Sequence, residues 1–76
     1  MRIMGVDPGL TRCGIGIVES NGGRRISMVA VDVARTKPEM APHHRLLMIW
    51  NEVEHAIKVY KPDVIAVERV FAQANV

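Results

Sequence analysis

Apolar positions along the chain fall into four short runs and one longer periodic stretch. Arg2–Asp7 holds Ile3, Met4 and Val6 and closes on Asp7-Pro8-Gly9. Proline lacks the donor that a ladder needs and glycine admits turn conformations, so a first strand is predicted to break there. Gly14–Glu19 carries Ile15, Ile17 and Val18 and runs into Ser20-Asn21-Gly22-Gly23. An Asn-Gly pair between apolar runs is a strong hairpin signal. A third strand is predicted from Ile26 to Val33, which makes three antiparallel strands.

Thr36–Pro42, with Pro38 and Pro42, reads as a connector. Beyond it Leu46, Trp50, Val53, Ile57 and Tyr60 recur with the period of one helical face. Pro42 suits the first turn, although no Ser, Thr, Asp or Asn stands just before it as a cap. Lys58 and Lys61 suit the other end of the helix dipole, and Pro62 stops the helix. Val64-Ile65-Ala66-Val67 then precedes Glu68. Four consecutive apolar residues predict a strand buried on both faces, as in parallel sheets.

Counting reversals gives the topology. The first and third strands run up, the second strand and the helix run down, and the last strand runs up. Strands one and four are therefore parallel, and both are expected in adjacent central positions. The fold class is α/β: a mixed sheet of three antiparallel strands, a crossover helix and a fourth strand. One helix covers only one face of such a sheet. Residues 1–76 are therefore expected to be the N-terminal portion of a single larger domain, and to fold poorly alone.

Asp7 and Glu68 each end an upward strand. Neighbouring strands lie ~4.8 Å apart, so the two carboxylates are expected to converge at the carboxyl edge, where open α/β sheets place their sites. Alternation puts Asp7 on the face of Gly5, and Glu68 on that of Ala66, whose small side chains leave room. Two carboxylates so close repel unless a cation neutralises them. Hard oxygen ligands suit Mg²⁺ or Mn²⁺, and such ions activate water for phosphodiester hydrolysis. The spacing leaves open a plainer reading, in which each acid merely ends a strand and faces solvent. Asp32 is expected to be an edge charge, and Glu19 lies at the wrong end of the sheet.

Composition narrows the setting. The chain has 76 residues, 49% hydrophobic and 24% charged, with a net charge of +2. That describes a globular piece, too weakly basic to announce nucleic acid by charge alone. No apolar run is long enough to span a membrane, and the start lacks a signal-peptide core, which points to a cytoplasmic protein with no membrane partner. One cysteine, Cys13, excludes an intrachain disulfide. It has no visible base partner, so a nucleophile role is not expected. His43, His44 and His55 lack the spacing of a helical zinc pair.

The stretch Gly5-Val-Asp-Pro-Gly-Leu-Thr-Arg-Cys-Gly14 resembles the opening of the RuvC Holliday-junction resolvases. Arg45-Leu46, then Tyr60-Lys-Pro-Asp-Val-Ile-Ala-Val-Glu68-Arg-Val-Phe71 and Asn75, resemble the same family around its second acid. Sugar-kinase and actin-like ATPases begin with a turn similar to the first block, as do YqgF-type nucleases. The resemblance implies an RNase H-like fold, a homodimer, and Mg²⁺-dependent cutting of four-way junction DNA, with RuvA and RuvB as partners. It gives Asp7 and Glu68 the places of the family's first two metal-binding acids, and Phe71 the aromatic position associated with junction DNA. The family's last acidic cluster has no counterpart in these residues.

Other positions carry two readings each. Arg69 could hold a phosphate or simply neutralise Glu68. Phe71 on its own reads as core; with the resemblance it becomes a ring that stacks on a base. Asn75 is a loop or cap residue, or a phosphate contact. Arg12, in the turn after Asp7, is a solvated turn residue or a phosphate contact. The reading that joins these observations is a structure-selective, Mg²⁺-dependent endonuclease. The alternatives are an ATP-binding module of the actin and sugar-kinase type, which would need a second phosphate-gripping turn, and a YqgF-like RNA-processing nuclease.

Overall fold

The structure, a computed structural model, describes residues 1–68. Strand β1 (Arg2–Asp7) leads through a turn into β2 (Arg12–Ser20), and a loop at 21–25 returns the chain into β3 (Ile26–Arg35). Helix α1 (Pro42–Tyr60) and strand β4 (Val64–Val67) follow. The sheet order is β3-β2-β1-β4, with β1–β2 and β2–β3 antiparallel and β1–β4 parallel. This is the mixed sheet that the pattern predicts. Gly22 supplies the hairpin's positive φ of 81°, a conformation glycine takes without steric cost.

Alternation along β2 builds the core. Cys13, Ile15 and Ile17 are buried while Gly14 and Gly16 between them turn to the other face. Register places Met4 opposite Ile17 and Val6 opposite Ile15, so one face of the two strands forms a continuous apolar surface. Ala56 of α1 closes on it, with Val53, Tyr60 and Ala30 packed around. Met4 and Ile17 are 0% and 1% exposed, and burial of each such side chain stabilises by about 1.5–3 kcal/mol. The helix has the bounds that the sequence predicts. It starts at Pro42 with no side-chain cap and ends on Lys61 in the left-handed region, where the Lys61 N–H donates to the Ile57 carbonyl at 2.9 Å.

Two packing expectations need correction. The helix turns Val53, Ala56 and Tyr60 inward, whereas Leu46 and Trp50 are 62% and 64% exposed. Apolar residues on α1 occupy more than one face, and the sheet takes the face whose small Ala56 lets the two backbones approach. Strand β4 is not buried on both sides: Val64, Ile65 and Val67 are all exposed. It is the edge strand among the described residues, and α1 lies over β2 and β3 instead. The sheet face opposite α1 also leaves Val31 and Val33 exposed. Among the described residues, no helix is long and apolar enough to cross a membrane.

Apolar surface bare on β3, β4 and the outer helix sets an expectation for residues 1–76 alone. They should unfold over a broad range and bind a hydrophobic dye at neutral pH. A sharp cooperative melt from a monomer that binds no dye would contradict it.

Candidate metal and nucleic-acid site

The β1–β4 register runs Ile3↔Val64, Met4↔Ile65, Gly5↔Ala66 and Val6↔Val67. The Glu68 N–H then donates to the Val6 carbonyl at 2.9 Å. Asp7 and Glu68 are therefore the next residues on two adjacent parallel strands. What holds the register lies at the other end. The Arg2 N–H donates to the Asp63 carboxylate at 2.7 Å, and the Asp63 N–H donates back to the Arg2 carbonyl at 2.7 Å. The Arg2 guanidinium meanwhile donates to the Tyr60 carbonyl at 2.9 Å and to Glu19 at 3.1 Å. One set of contacts thus ties the end of α1 and the start of β4 to the start of β1. A slip of one residue would turn Glu68 to the opposite face. Neither Asp63 nor Arg2 stands out in the sequence pattern, because each acts through a partner distant along the chain.

The two acids meet at an exposed rim. Glu68 holds its proton above the ordinary carboxylate range, first because its carboxyl hydrogen-bonds with Asp7, then because of the Asp7 charge, and last through burial. A carboxyl whose charging is opposed by a neighbouring acid is what a divalent ion relieves. The donor set therefore fits Mg²⁺ or Mn²⁺, with two protein ligands. No third His, Cys, Asp or Glu joins them among the described residues. The surroundings are open. Asp7 pairs across β2 with Gly14, and Gly5 pairs with Gly16. A Cβ at Gly14 would stand 3.6 Å from the Asp7 Cβ. Gly5, Gly14 and Gly16 line a shallow groove of about 370 Å³ beside Asp7.

The turn that follows Asp7 is held from the helix side. A Cβ on Gly9 would collide with the Arg12 carbonyl oxygen, so the chain can double back this tightly only with glycine there. The Thr36 N–H donates to the Thr11 carbonyl at 3.0 Å. Arg45 donates to the Thr36 hydroxyl at 2.9 Å and to the Thr11 hydroxyl at 2.7 Å. Arg45 stands in the first turn of α1, where the helix dipole disfavours a cation. Its bonds to the turn account for it. That misplaced cation was the signal available in the sequence, where Arg45 carried only a family likeness.

The remaining candidates divide. Arg12 opens β2, exposed, at the same rim as Asp7. Arg69, Phe71 and Asn75 lie outside the described residues. Asp32 stands on β3, two strands from β1, and accepts the Val33 N–H at 2.8 Å. Glu19 pairs at the far end with the N-terminal amine and Arg2, which lower its pKa. Cys13 is buried, and burial pushes its thiol up, which suits packing rather than nucleophilic attack. The His43 and His44 rings meet edge to face at 4.6 Å.

Residues 3–76 match the family model described as crossover junction endodeoxyribonuclease RuvC. The protein of that name from Mycobacterium sp. (strain KMS) is 55% identical over 75 residues, covering 99% of this chain and 40% of the relative. Its namesake from Mycobacterium ulcerans (strain Agy99) is 53% identical over 76 residues, covering 100% of this chain and 41% of the relative. The chain thus spans about two-fifths of the length of these relatives. The structure of T. thermophilus RuvC in complex with Holliday junction substrate superposes with a TM-score of 0.88 at 29% identity, covering 99% of this chain and 46% of that one. A second Thermus thermophilus RuvC structure gives 0.83, also at 29% identity, over 100% of this chain and 48% of that one. The RNase H-like sheet expected from the sequence is therefore the fold observed.

The raised Glu68 pKa makes stability depend on pH in a definite direction. A raised Glu68 pKa favours folding while the group is protonated, and that contribution is lost as pH rises from the ordinary carboxylate range towards neutrality. In the intact protein without divalent ions, Glu68→Gln should match wild type in urea unfolding at acid pH and exceed it at neutral pH. Saturating Mg²⁺ should then raise wild type alone. A difference between the two proteins that does not change with pH would contradict this.

Proposed function

Because the chain belongs to the RuvC family of crossover junction endodeoxyribonucleases, we propose that it carries two of the metal-binding acids of a structure-selective endonuclease acting on four-way DNA junctions. Residues 1–76 form the N-terminal portion of a single RNase H-like nuclease domain. The observation that supports this reading best is the β1–β4 register, which brings Asp7 and Glu68 side by side at one rim, where Asp7 hinders the charging of Glu68.

Asp7 and Glu68 hold Mg²⁺, for which Mn²⁺ can substitute, and further ligands come from elsewhere in the intact protein. Bound there, the ion supplies positive charge to the phosphate oxygens and acidifies an attacking water. The carboxylates fix where that charge sits relative to the sheet edge, and the Arg45-braced turn keeps Asp7 in place. Water oxygen bonds to phosphorus as the bond to the leaving sugar oxygen breaks, with no covalent enzyme intermediate. Before a cation binds, the paired acids repel the DNA backbone, so metal and substrate binding are coupled. Arg12 and Arg69 contact phosphates, Phe71 stacks on an unpaired base, and Asn75 contacts the backbone. Symmetrical cutting of two opposed strands requires two sites, which a two-fold homodimer provides. RuvA and RuvB are its partners, and it works in the cytoplasm. The family match favours this reading over an ATP-binding module.

The intact protein with Mg²⁺ should nick junction DNA in preference to linear duplex or structured RNA. Asp7→Asn and Glu68→Gln should each slow cleavage by at least ~10²-fold, the equivalent of several kcal/mol of lost charge stabilisation, while junction binding persists. Cutting at the wild-type rate by either variant would contradict the assignment. Preference for RNA would favour the YqgF-like alternative, and competable binding of labelled ATP the module.

A further inference from the structure

We infer that Arg12 and Arg35 form an anion clamp for a DNA backbone phosphate lying one to three nucleotides from the one held at Asp7 and Glu68. The inference rests on the nuclease reading and extends its binding surface onto β3, where no site residue was expected.

Arg12 and Arg35 are direct partners in the β2–β3 ladder. Like charges placed opposite each other on a sheet destabilise it, so this pair asks for an anion. The described residues supply none: their ion pairs engage the N-terminal amine, Arg2 and Lys58. Both arginines also stand on the face that carries Asp7. On β2, Cys13, Ile15 and Ile17 turn into the core, so Arg12, Gly14 and Gly16 occupy the opposite face. On β3, Ala30 and Ala34 are the inward residues, which leaves Val31, Val33 and Arg35 on that same opposite face.

The spacing suits a strand of nucleic acid. Asp7 pairs with Gly14, so Arg12 stands one strand spacing (~4.8 Å) across from Asp7 and two residues (~6.8 Å) beyond it. Arg35 is one spacing further. Successive phosphates of a strand are separated by at least their ~3.4 Å axial rise, so a backbone laid across this rim brings a phosphate to the arginines within at most about three nucleotides of the acids. The floor between is glycine. A Cβ at Gly16 would meet nothing within 4 Å, so internal packing does not demand glycine there, whereas close approach of another backbone does. Two guanidiniums side by side can offer forked donors to one phosphate.

The test uses the intact protein and a four-way junction without divalent ions, so that binding is read apart from cleavage. Arg12→Gln and Arg35→Gln should each weaken binding by about three- to tenfold. Each should also reduce the slope of log K against log salt by about 0.9, the loss of one phosphate contact. The double variant should fall little further, because both side chains serve one phosphate. Arg35→Lys, which keeps the charge and loses the fork, should fall between. A junction carrying one neutral methylphosphonate, walked across three positions on either side of the cleaved bond, should weaken wild type at one position and leave the double variant unaffected there. Melting curves like wild type identify the variants as folded. Unchanged salt slopes, or a methylphosphonate effect equal in wild type and the double variant, would overturn the clamp and leave the nuclease reading standing. A wild-type protein that neither binds nor cuts junctions would overturn the nuclease reading itself.

Discussion

Residues far apart in sequence reach one rim on parallel strands only if something sets the register between those strands. Between β1 and β4 the constraint sits at the end remote from the acids. Asp63 and Arg2 exchange backbone and side-chain hydrogen bonds, while the Arg2 guanidinium reaches the Tyr60 carbonyl at the end of α1. The exit of the helix, the start of β4 and the start of β1 are thus one connected unit. Strand geometry carries that registration along four paired residues to Asp7 and Glu68. Because side chains alternate with a period of two, the register is either right or wholly wrong for the site.

The rim so built is electrostatically uncomfortable. Charging Glu68 beside Asp7 opposes the fold's own stability above the carboxylate range. The chain meets that cost with rigid support behind Asp7: a glycine-tight turn, and Arg45 bridging Thr36 and Thr11. A cation in the first turn of a helix also runs against the dipole. Two locally unfavourable placements, one at the rim and one behind it, become intelligible together when the rim is made to receive a divalent ion. Arg12 opposite Arg35 is a third placement of the same kind on the same face.

Much of this was legible in the sequence because it is local or directional. Asn21-Gly22 marks the hairpin, Pro42 and Pro62 bracket the helix, and counting reversals makes β1 and β4 parallel. That parallel pairing was enough to bring Asp7 and Glu68 together. What escaped depends on partners distant along the chain. Leu46, Trp50 and Ile57 share the helical period with Val53, and periodicity does not say that the small Ala56 centres the packed face. The apolar run of β4 reads as buried, yet its exposure depends on which neighbours the sheet places beside it. Asp63, Arg45 and Arg35 owe their significance to Arg2, Thr11 and Arg12, and no window of sequence joins those pairs.

The most direct test of the account is where a divalent ion sits. Crystals of the intact protein soaked in Mn²⁺ should show an anomalous peak at a distance of about 2.0–2.2 Å from one oxygen of Asp7 and one of Glu68 together. A peak that touches only one of them, or an ion held elsewhere in the protein, would contradict it.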